Sequence, residues 1–119
     1  MSKLYSQKVF RHTKNPQNKG TLENPTHTLV AENPSCGDTL TMYLEVADDK
    51  IIDVGWEGEG CSLSQAASSI ISEKIIGMTL DKVRALSTDN IVTELDIEVS
   101  PARLKCALLP FDALHTIQK

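Results

Sequence analysis

The sequence predicts an α+β fold in which helices pack on one face of a small, three-stranded antiparallel sheet. Two alternating apolar runs come first, and patterns with the period of a helix follow them along the chain. No repeat or linker interrupts this order. The chain has 119 residues, a length that suits one hydrophobic core. We therefore expect a single domain over residues 1–119.

The strand predictions rest on a period of two residues. Between residues 39 and 46, apolar side chains alternate with polar ones and form one face: Leu40, Met42, Leu44 and Val46. After a turn at Asp48-Asp49-Lys50, a second alternation assigns Ile52, Val54 and Trp56 to the same core face. The two runs predict an antiparallel hairpin, and residues 28–32 are a candidate third strand.

The helix predictions rest on apolar residues that recur at intervals of three and four. A marginal helix is expected over 3–13, and shorter ones over 80–86 and 88–95. The strongest pattern has six members: Leu63, Ala66, Ala67, Ile70, Ile71 and Ile75. Ser62 and Gln65 fit a capping box at its start, and Gly77 ends it. The last helix carries Leu108, Phe111, Leu114 and Ile117. It accommodates Pro110 in its first turn, which places Cys106 at or next to its N-cap.

The charge and the distribution of apolar residues exclude two classes of partner, nucleic acids and membranes. The net charge is −4, so the chain lacks the basic footprint of a nucleic-acid-binding protein. No stretch approaches the ~20 apolar residues of a membrane span. The N-terminus lacks the apolar region of a secretory signal, which predicts a cytoplasmic protein with reduced thiols.

Three cysteines carry the candidate chemistry, and each precedes a predicted strand or helix. Cys36 precedes the long strand, Cys61 the longest helix and Cys106 the last helix. A helix N-terminus stabilises a thiolate and prepares it for metal or sulfur chemistry. With Asp38, the three thiolates make four ligands, which suits zinc, whereas iron-sulfur clusters also take thiolates. Because no CxxC pair is present, burial of all three as small apolar side chains remains an alternative.

Two cations close to the third cysteine are candidate supporting residues. Arg103 and Lys105 flank Leu104 just before Cys106. A divalent ion held by three thiolates and a carboxylate would leave a net charge of about −2, which nearby cations would offset. The alternative is that both side chains are ordinary solvated surface.

Three segments together resemble a known family: Asn33-Pro34-Ser35-Cys36-Gly37-Asp38, Glu57-Gly58-Glu59-Gly60-Cys61-Ser62-Leu63-Ser64 and Ser100-Pro101-Ala102-Arg103-Leu104-Lys105-Cys106-Ala107. They are similar to the signature segments of the U-type iron-sulfur cluster assembly proteins, the IscU, SufU and NifU N-terminal family. Residues 12–18 also resemble this family. The resemblance implies an exposed metal site at Cys36, Asp38, Cys61 and Cys106. It also implies sulfur delivery from a cysteine desulfurase, and a [2Fe-2S] cluster for acceptor proteins in the IscU members.

Departures from the family pattern favour the SufU branch. Lys105 stands where IscU proteins carry a ligating histidine, and a protonated lysine has no lone pair to donate. The path from residue 77 to residue 100 is, however, too short for the usual SufU insertion. The Pro-Pro-Val-Lys segment by which IscU proteins engage a chaperone is also absent.

Cys36 is the expected sulfur acceptor, because it lies on a loop beside Gly37 with no helix to hold it. The SufU branch gives this position the same role by resemblance. The alternative is a zinc-containing binding module that docks on the desulfurase and stimulates it without carrying sulfur. A cysteine hydrolase is disfavoured, because the sequence places no histidine beside a cysteine.

Overall fold

A computed structural model describes residues 7–33, 37–60, 62–87 and 107–116 of the chain. Its helices and strands run in the order α1 (Gln7–Lys14), β1 (His27–Asn33), β2 (Asp38–Ala47), β3 (Lys50–Glu59), α2 (Ser62–Ile75), α3 (Leu80–Arg84) and α4 (Leu109–Leu114). The strands form one antiparallel sheet in the order β1-β2-β3. This architecture confirms the predicted α+β fold and the third strand.

The hydrophobic core lies between one face of the sheet and the helices. On β2, Leu40, Met42 and Leu44 are at most 2% exposed, as their alternation predicts. Helix α2 packs against β3, while α4 packs against β1, β2 and α2. All six apolar residues predicted for α2 are buried. Burying one large aliphatic side chain contributes about 1.5–3 kcal/mol, so the leucine and isoleucine residues of this set stabilise the packing of α2 on the sheet.

The register of β3 differs from the prediction at one residue. Glu45 pairs with Asp53 but Val46 pairs with Ile51, so a β-bulge leaves Ile52 as an additional residue. Ile51 is therefore fully buried, whereas Ile52 is 49% exposed. The prediction that Ile52 faces the core is wrong, because a bulge interrupts the two-residue alternation that it assumed.

Helix α2 begins and ends where the sequence predicts, whereas α3 ends at Arg84, two residues earlier than predicted, and α4 begins only at Leu109. Helix α2 is followed by Gly77 in a left-handed conformation with φ of +92°, which a residue with a Cβ adopts at a cost. Pro110 is the second residue of α4, within its first turn. The side-chain amide of Gln65 donates to the Gly58 carbonyl at 3.0 Å, so it links α2 to β3. The side chain of Ser62 and the helix predicted over 88–95 lie outside the described residues.

An N-terminal segment, residues 15–20, lies along the outer edge of β3. Trp56 donates its backbone N–H to the Asn18 carbonyl at 3.1 Å and accepts from the Gly20 N–H at 2.7 Å. Its indole Nε1 donates to the Gln17 carbonyl at 2.8 Å. From α2, the Ser69 hydroxyl accepts the Gln17 N–H at 2.7 Å. Hydrogen bonds to the buried residues Trp56 and Ser69 therefore hold this segment against β3 and α2.

Candidate metal centre

Asp38 lies where β1 leads into β2, at one end of the sheet. It pairs with Asn33 across the two strands, and the Gly37 N–H donates to the Asn33 carbonyl at 2.9 Å. Gly37 has φ of +72°, a conformation that glycine adopts readily. The Asp38 residue is only 2% exposed. Gly37 thus links the end of β1 to the start of β2 by a hydrogen bond, and the Asp38 residue that follows it is buried.

The exit of β3 lies directly against this carboxylate. A Cβ built on Gly60 would stand 2.5 Å from Asp38 Oδ1 and 2.7 Å from Ser64 Oγ. Real Cβ atoms do not approach other atoms so closely, so a side chain at position 60 would displace one or both groups. Ser64 belongs to the first turn of α2 and is 3% exposed. Gly60 therefore creates the space in which the Asp38 carboxylate sits.

The structure describes one of the four predicted ligands. Cys36, Cys61 and Cys106 lie outside the described residues, as do Arg103 and Lys105. Within the ranges that are described, no group of three or more His, Cys, Asp or Glu side chains is arranged to hold a metal. The prediction of a four-ligand site is therefore neither confirmed nor contradicted.

Sequence neighbours of two cysteines nevertheless meet at this end of the sheet. Cys36 precedes Asp38 by two positions, and Cys61 directly follows Gly60. Cys61 also directly precedes α2, as predicted. The contact between Gly60 and Asp38 thus joins the segment after Cys36 to the segment before Cys61.

The position of Cys106 relative to α4 needs correction. The N-cap of α4 is Leu108, and the helix has six residues. Cys106 precedes this N-cap by two positions, rather than standing at it or beside it. The prediction that Cys106 stands at or next to the N-cap is therefore wrong, and the argument from the dipole of the last helix, which requires that position, loses its basis. Ala107, the next residue, is fully buried.

The carboxylate at position 38 fits a metal ligand. A buried carboxylate needs a compensating partner, because loss of hydration costs several kcal/mol, and Asp38 has a polar partner in the structure. A cation with thiolate and carboxylate ligands would compensate the charge as well, and this donor set suits zinc. Sequence reasoning identified Asp38 but missed Gly60 and Ser64. The available signal was the glycine directly before Cys61.

Comparison with known proteins identifies the family. A family model described as the NifU-like N terminal domain matches residues 4–118. The chain belongs to this family. It is 35% identical to the zinc-dependent sulfurtransferase SufU of Bacillus subtilis, over 94% of this chain and 87% of the relative. It is 33% identical to the iron-sulfur cluster assembly scaffold protein IscU of Escherichia coli K12, over 92% and 88% of the two chains.

Solved structures of NifU-like proteins share the fold. An iron-sulfur cluster assembly scaffold protein for the SUF system from Fervidobacterium islandicum AW-1 superimposes with a TM-score of 0.76 and 31% identity, over 93% of each chain. The N-terminal NifU-like protein of Brucella abortus gives a TM-score of 0.75 and 26% identity, over 94% of this chain and 90% of that one. These matches confirm the predicted family, its fold and a role in iron-sulfur cluster assembly. In the described residues, no helix is long and apolar enough to cross a membrane.

Proposed function

We propose that this NifU-like domain, a single domain over residues 1–119, accepts sulfur as a persulfide from a cysteine desulfurase in the cytoplasm. It then passes the sulfur on, or uses it to build a cluster for acceptor proteins. The observation that carries the proposal is the buried Asp38 carboxylate against Gly60, because it brings the sequence neighbours of Cys36 and Cys61 together. The names of the SufU and IscU relatives support sulfur transfer and cluster assembly respectively.

The transfer itself is thiol exchange. The Cys36 thiolate attacks the outer sulfur of the desulfurase persulfide, a new S–S bond forms on Cys36, and the old S–S bond breaks. The desulfurase cysteine leaves as a thiolate, so electrons balance without an external oxidant. Cys36 is suited to this role because it lies beside Gly37, whose left-handed conformation supports a loop rather than a helix.

The metal ligands in this proposal are Cys36, Asp38, Cys61 and Cys106. Zinc, when bound, would hold the thiols deprotonated at neutral pH. The carboxylate of Asp38 is a harder ligand than a thiolate, so it binds zinc or a cluster more weakly and is the ligand suited to release. Arg103 and Lys105 would offset the negative charge of the site and of the transferred sulfur.

The decisive experiment locates the accepted sulfur. The protein is incubated with a cysteine desulfurase and cysteine, persulfides are trapped by alkylation, and peptide masses identify the modified residue. We expect the label on Cys36 and its loss in Cys36→Ser, whereas Cys106→Ser, which removes another proposed ligand but not the acceptor, should still carry the label on Cys36. If Cys36→Ser accepts sulfur at the wild-type rate with label on Cys106, the assignment is wrong. If no thiol is labelled while the desulfurase is stimulated, the binding-module alternative is correct.

Metal analysis tests the ligand set separately. Protein purified in air should contain about one zinc per chain, and a Cys61→Ser variant should contain much less. Because the proposed ligands come from both halves of the fold, removal of zinc should lower the melting temperature. Unchanged melting after verified removal would contradict a zinc site that links these segments.

A further inference from the structure

The side of the sheet that faces away from the core carries a dense set of acidic residues. We call it the outer sheet face and define it by the strand positions that alternate with the buried ones, within 28–32 of β1, 39–45 of β2 and 53–59 of β3. Five acidic residues lie on it: Glu32, Glu45, Asp53, Glu57 and Glu59. Glu45 is half-buried and the other four are exposed.

Basic residues are segregated from this face. Among the three described strands, the one lysine or arginine is Lys50, at the first position of β3. The helices carry cations instead, including Arg11 and Lys14 in α1, Lys74 in α2 and Lys82 in α3. The described part of the molecule therefore has an acidic sheet side and a helical side that carries positive charge.

The arrangement of these carboxylates does not favour stability of the fold. Glu45 stands directly opposite Asp53, and Thr39 stands between Glu32 on β1 and Glu59 on β3. Like charges that face each other across strands destabilise a sheet. The repulsion indicates a surface whose charge is used in binding.

An apolar and aromatic area lies among the carboxylates. Val30, opposite Thr41, is 56% exposed. On the neighbouring strand, the Tyr43 hydroxyl donates to Glu57 Oε1 at 2.8 Å, which holds the ring in place on the surface. An aromatic and aliphatic centre with a charged rim is the usual anatomy of a protein–protein interface.

We propose that the outer sheet face docks a protein that presents a surface rich in lysine and arginine. The negative charge selects against nucleic acids and anionic lipid surfaces, and Val30 with the Tyr43 ring offers apolar contact to such a partner. Five residues of β1 and seven each of β2 and β3, at about 3.3 Å rise and about 4.8 Å strand spacing, cover roughly 300 Å². This is well below the ~800 Å² that each partner buries in a standard stable complex. The complex is therefore transient and depends on electrostatic steering.

The test uses two synthetic helical peptides with the same apolar residues, one with lysine and one with glutamate at every charged position. Backbone amide shifts are followed by NMR as each peptide is added to the full-length protein. We expect the lysine peptide to shift amides of β1, β2 and β3, with an affinity that falls as salt is raised. The glutamate peptide and a short DNA duplex should leave the spectrum unchanged.

Charge-matched variants make the test specific. Glu45→Gln combined with Glu57→Gln should weaken lysine-peptide binding about fivefold, since two exposed ion pairs at about 0.5 kcal/mol each sum to about 1 kcal/mol. The control, Asp81→Asn with Asp112→Asn, removes the same charge from α3 and α4 and should leave binding unchanged. Val30→Ser should weaken binding without changing its salt dependence.

Three outcomes would overturn the proposal. These are equal weakening by the control variant, amide shifts spread equally over the helices, and binding of the DNA duplex. The readout involves no sulfur transfer or metal, so its failure would leave the proposed function of the cysteines untouched. Loss of sulfur acceptance would likewise leave the docking proposal standing.

Discussion

A single methyl group at position 60 would test the candidate metal centre through its steric environment. In Gly60→Ala, the new Cβ would lie 2.5 Å from Asp38 Oδ1 and 2.8 Å from Asp38 Cγ. Rotation of the carboxylate about the Cβ–Cγ bond leaves the contact with Cγ in place. The whole carboxylate must therefore move away by about 1 Å to reach ordinary contact distances. Overpacking of this kind costs about 1–3 kcal/mol.

The same displacement should weaken metal binding, because it moves a proposed ligand. Loss of a group that orients a metal ligand typically lowers metal affinity about 10–100-fold, and we expect Gly60→Ala to fall in this range. Urea unfolding of the metal-free protein measures the change in stability, and competition with a chromophoric chelator measures zinc affinity. Adding Ser64→Ala should restore part of the stability, because it removes the contact of the new Cβ with the serine hydroxyl.

Gly77→Ala is the matched control for a loss of stability alone. Gly77 has φ of +92°, and a Cβ built on it meets no atom within 4 Å. Its N–H donates to the Ile51 carbonyl, at the opposite end of β3 from Gly60. We expect a loss of about 1 kcal/mol from backbone strain, with zinc affinity unchanged. Wild-type zinc affinity in Gly60→Ala would refute the assignment of Asp38 as a ligand.

Three further predictions concern individual side chains. Asp38→Ala should slow the transfer of a bound cluster to an acceptor, because the acceptor can no longer displace the weakest ligand first, while zinc affinity falls as in Gly60→Ala; cluster transfer at the normal rate would show that Asp38 is not the labile ligand. Glu45→Gln should raise the free energy of unfolding by about 0.2–1 kcal/mol, because it relieves repulsion from Asp53. Urea denaturation should show this gain at low salt and lose it at high salt. The pKa of Tyr43 is raised above its ordinary value of 10.0, mainly because the phenol donates to the Glu57 carboxylate. That hydrogen bond stabilises the fold below about pH 10 and is lost as the phenol deprotonates at higher pH; Glu57→Ala should lower the pKa in an ultraviolet titration, with unchanged titration contradicting the contact.

The sequence predicted those parts of the fold that depend on local periodicity. The three strands, the core face of β2 and the buried side of α2 follow from alternation of period two and recurrence at three and four residues. The bulge at Ile52 was not predictable in this way, because it depends on the hydrogen-bond register between two strands. Leu108 as the N-cap of α4 was missed by one or two residues, which is the usual uncertainty of a helix boundary.

The candidate site was predictable only where its residues are neighbours in sequence. Asp38 was identified because it follows Cys36-Gly37, but its burial against Gly60 was not predicted, since the resemblance implied an exposed site. Gly60 and Ser64 were missed as its neighbours, because that contact forms only when the end of β3 returns to the start of β2. No periodic pattern in a sequence encodes a contact of this kind.

The position of Trp56 makes the N-terminal segment observable in solution. It is the chain's one tryptophan, its indole N–H is bonded to the Gln17 carbonyl, and the Lys19 ammonium lies 5.6 Å from the ring centroid. Opening of residues 15–20 would break these hydrogen bonds and uncover the Trp56 side of the core, while the hydrogen bonds among β1, β2 and β3 stay intact, as in units of low local stability. Water would then reach the indole, so the emission of this tryptophan reports an opening event that leaves the sheet folded.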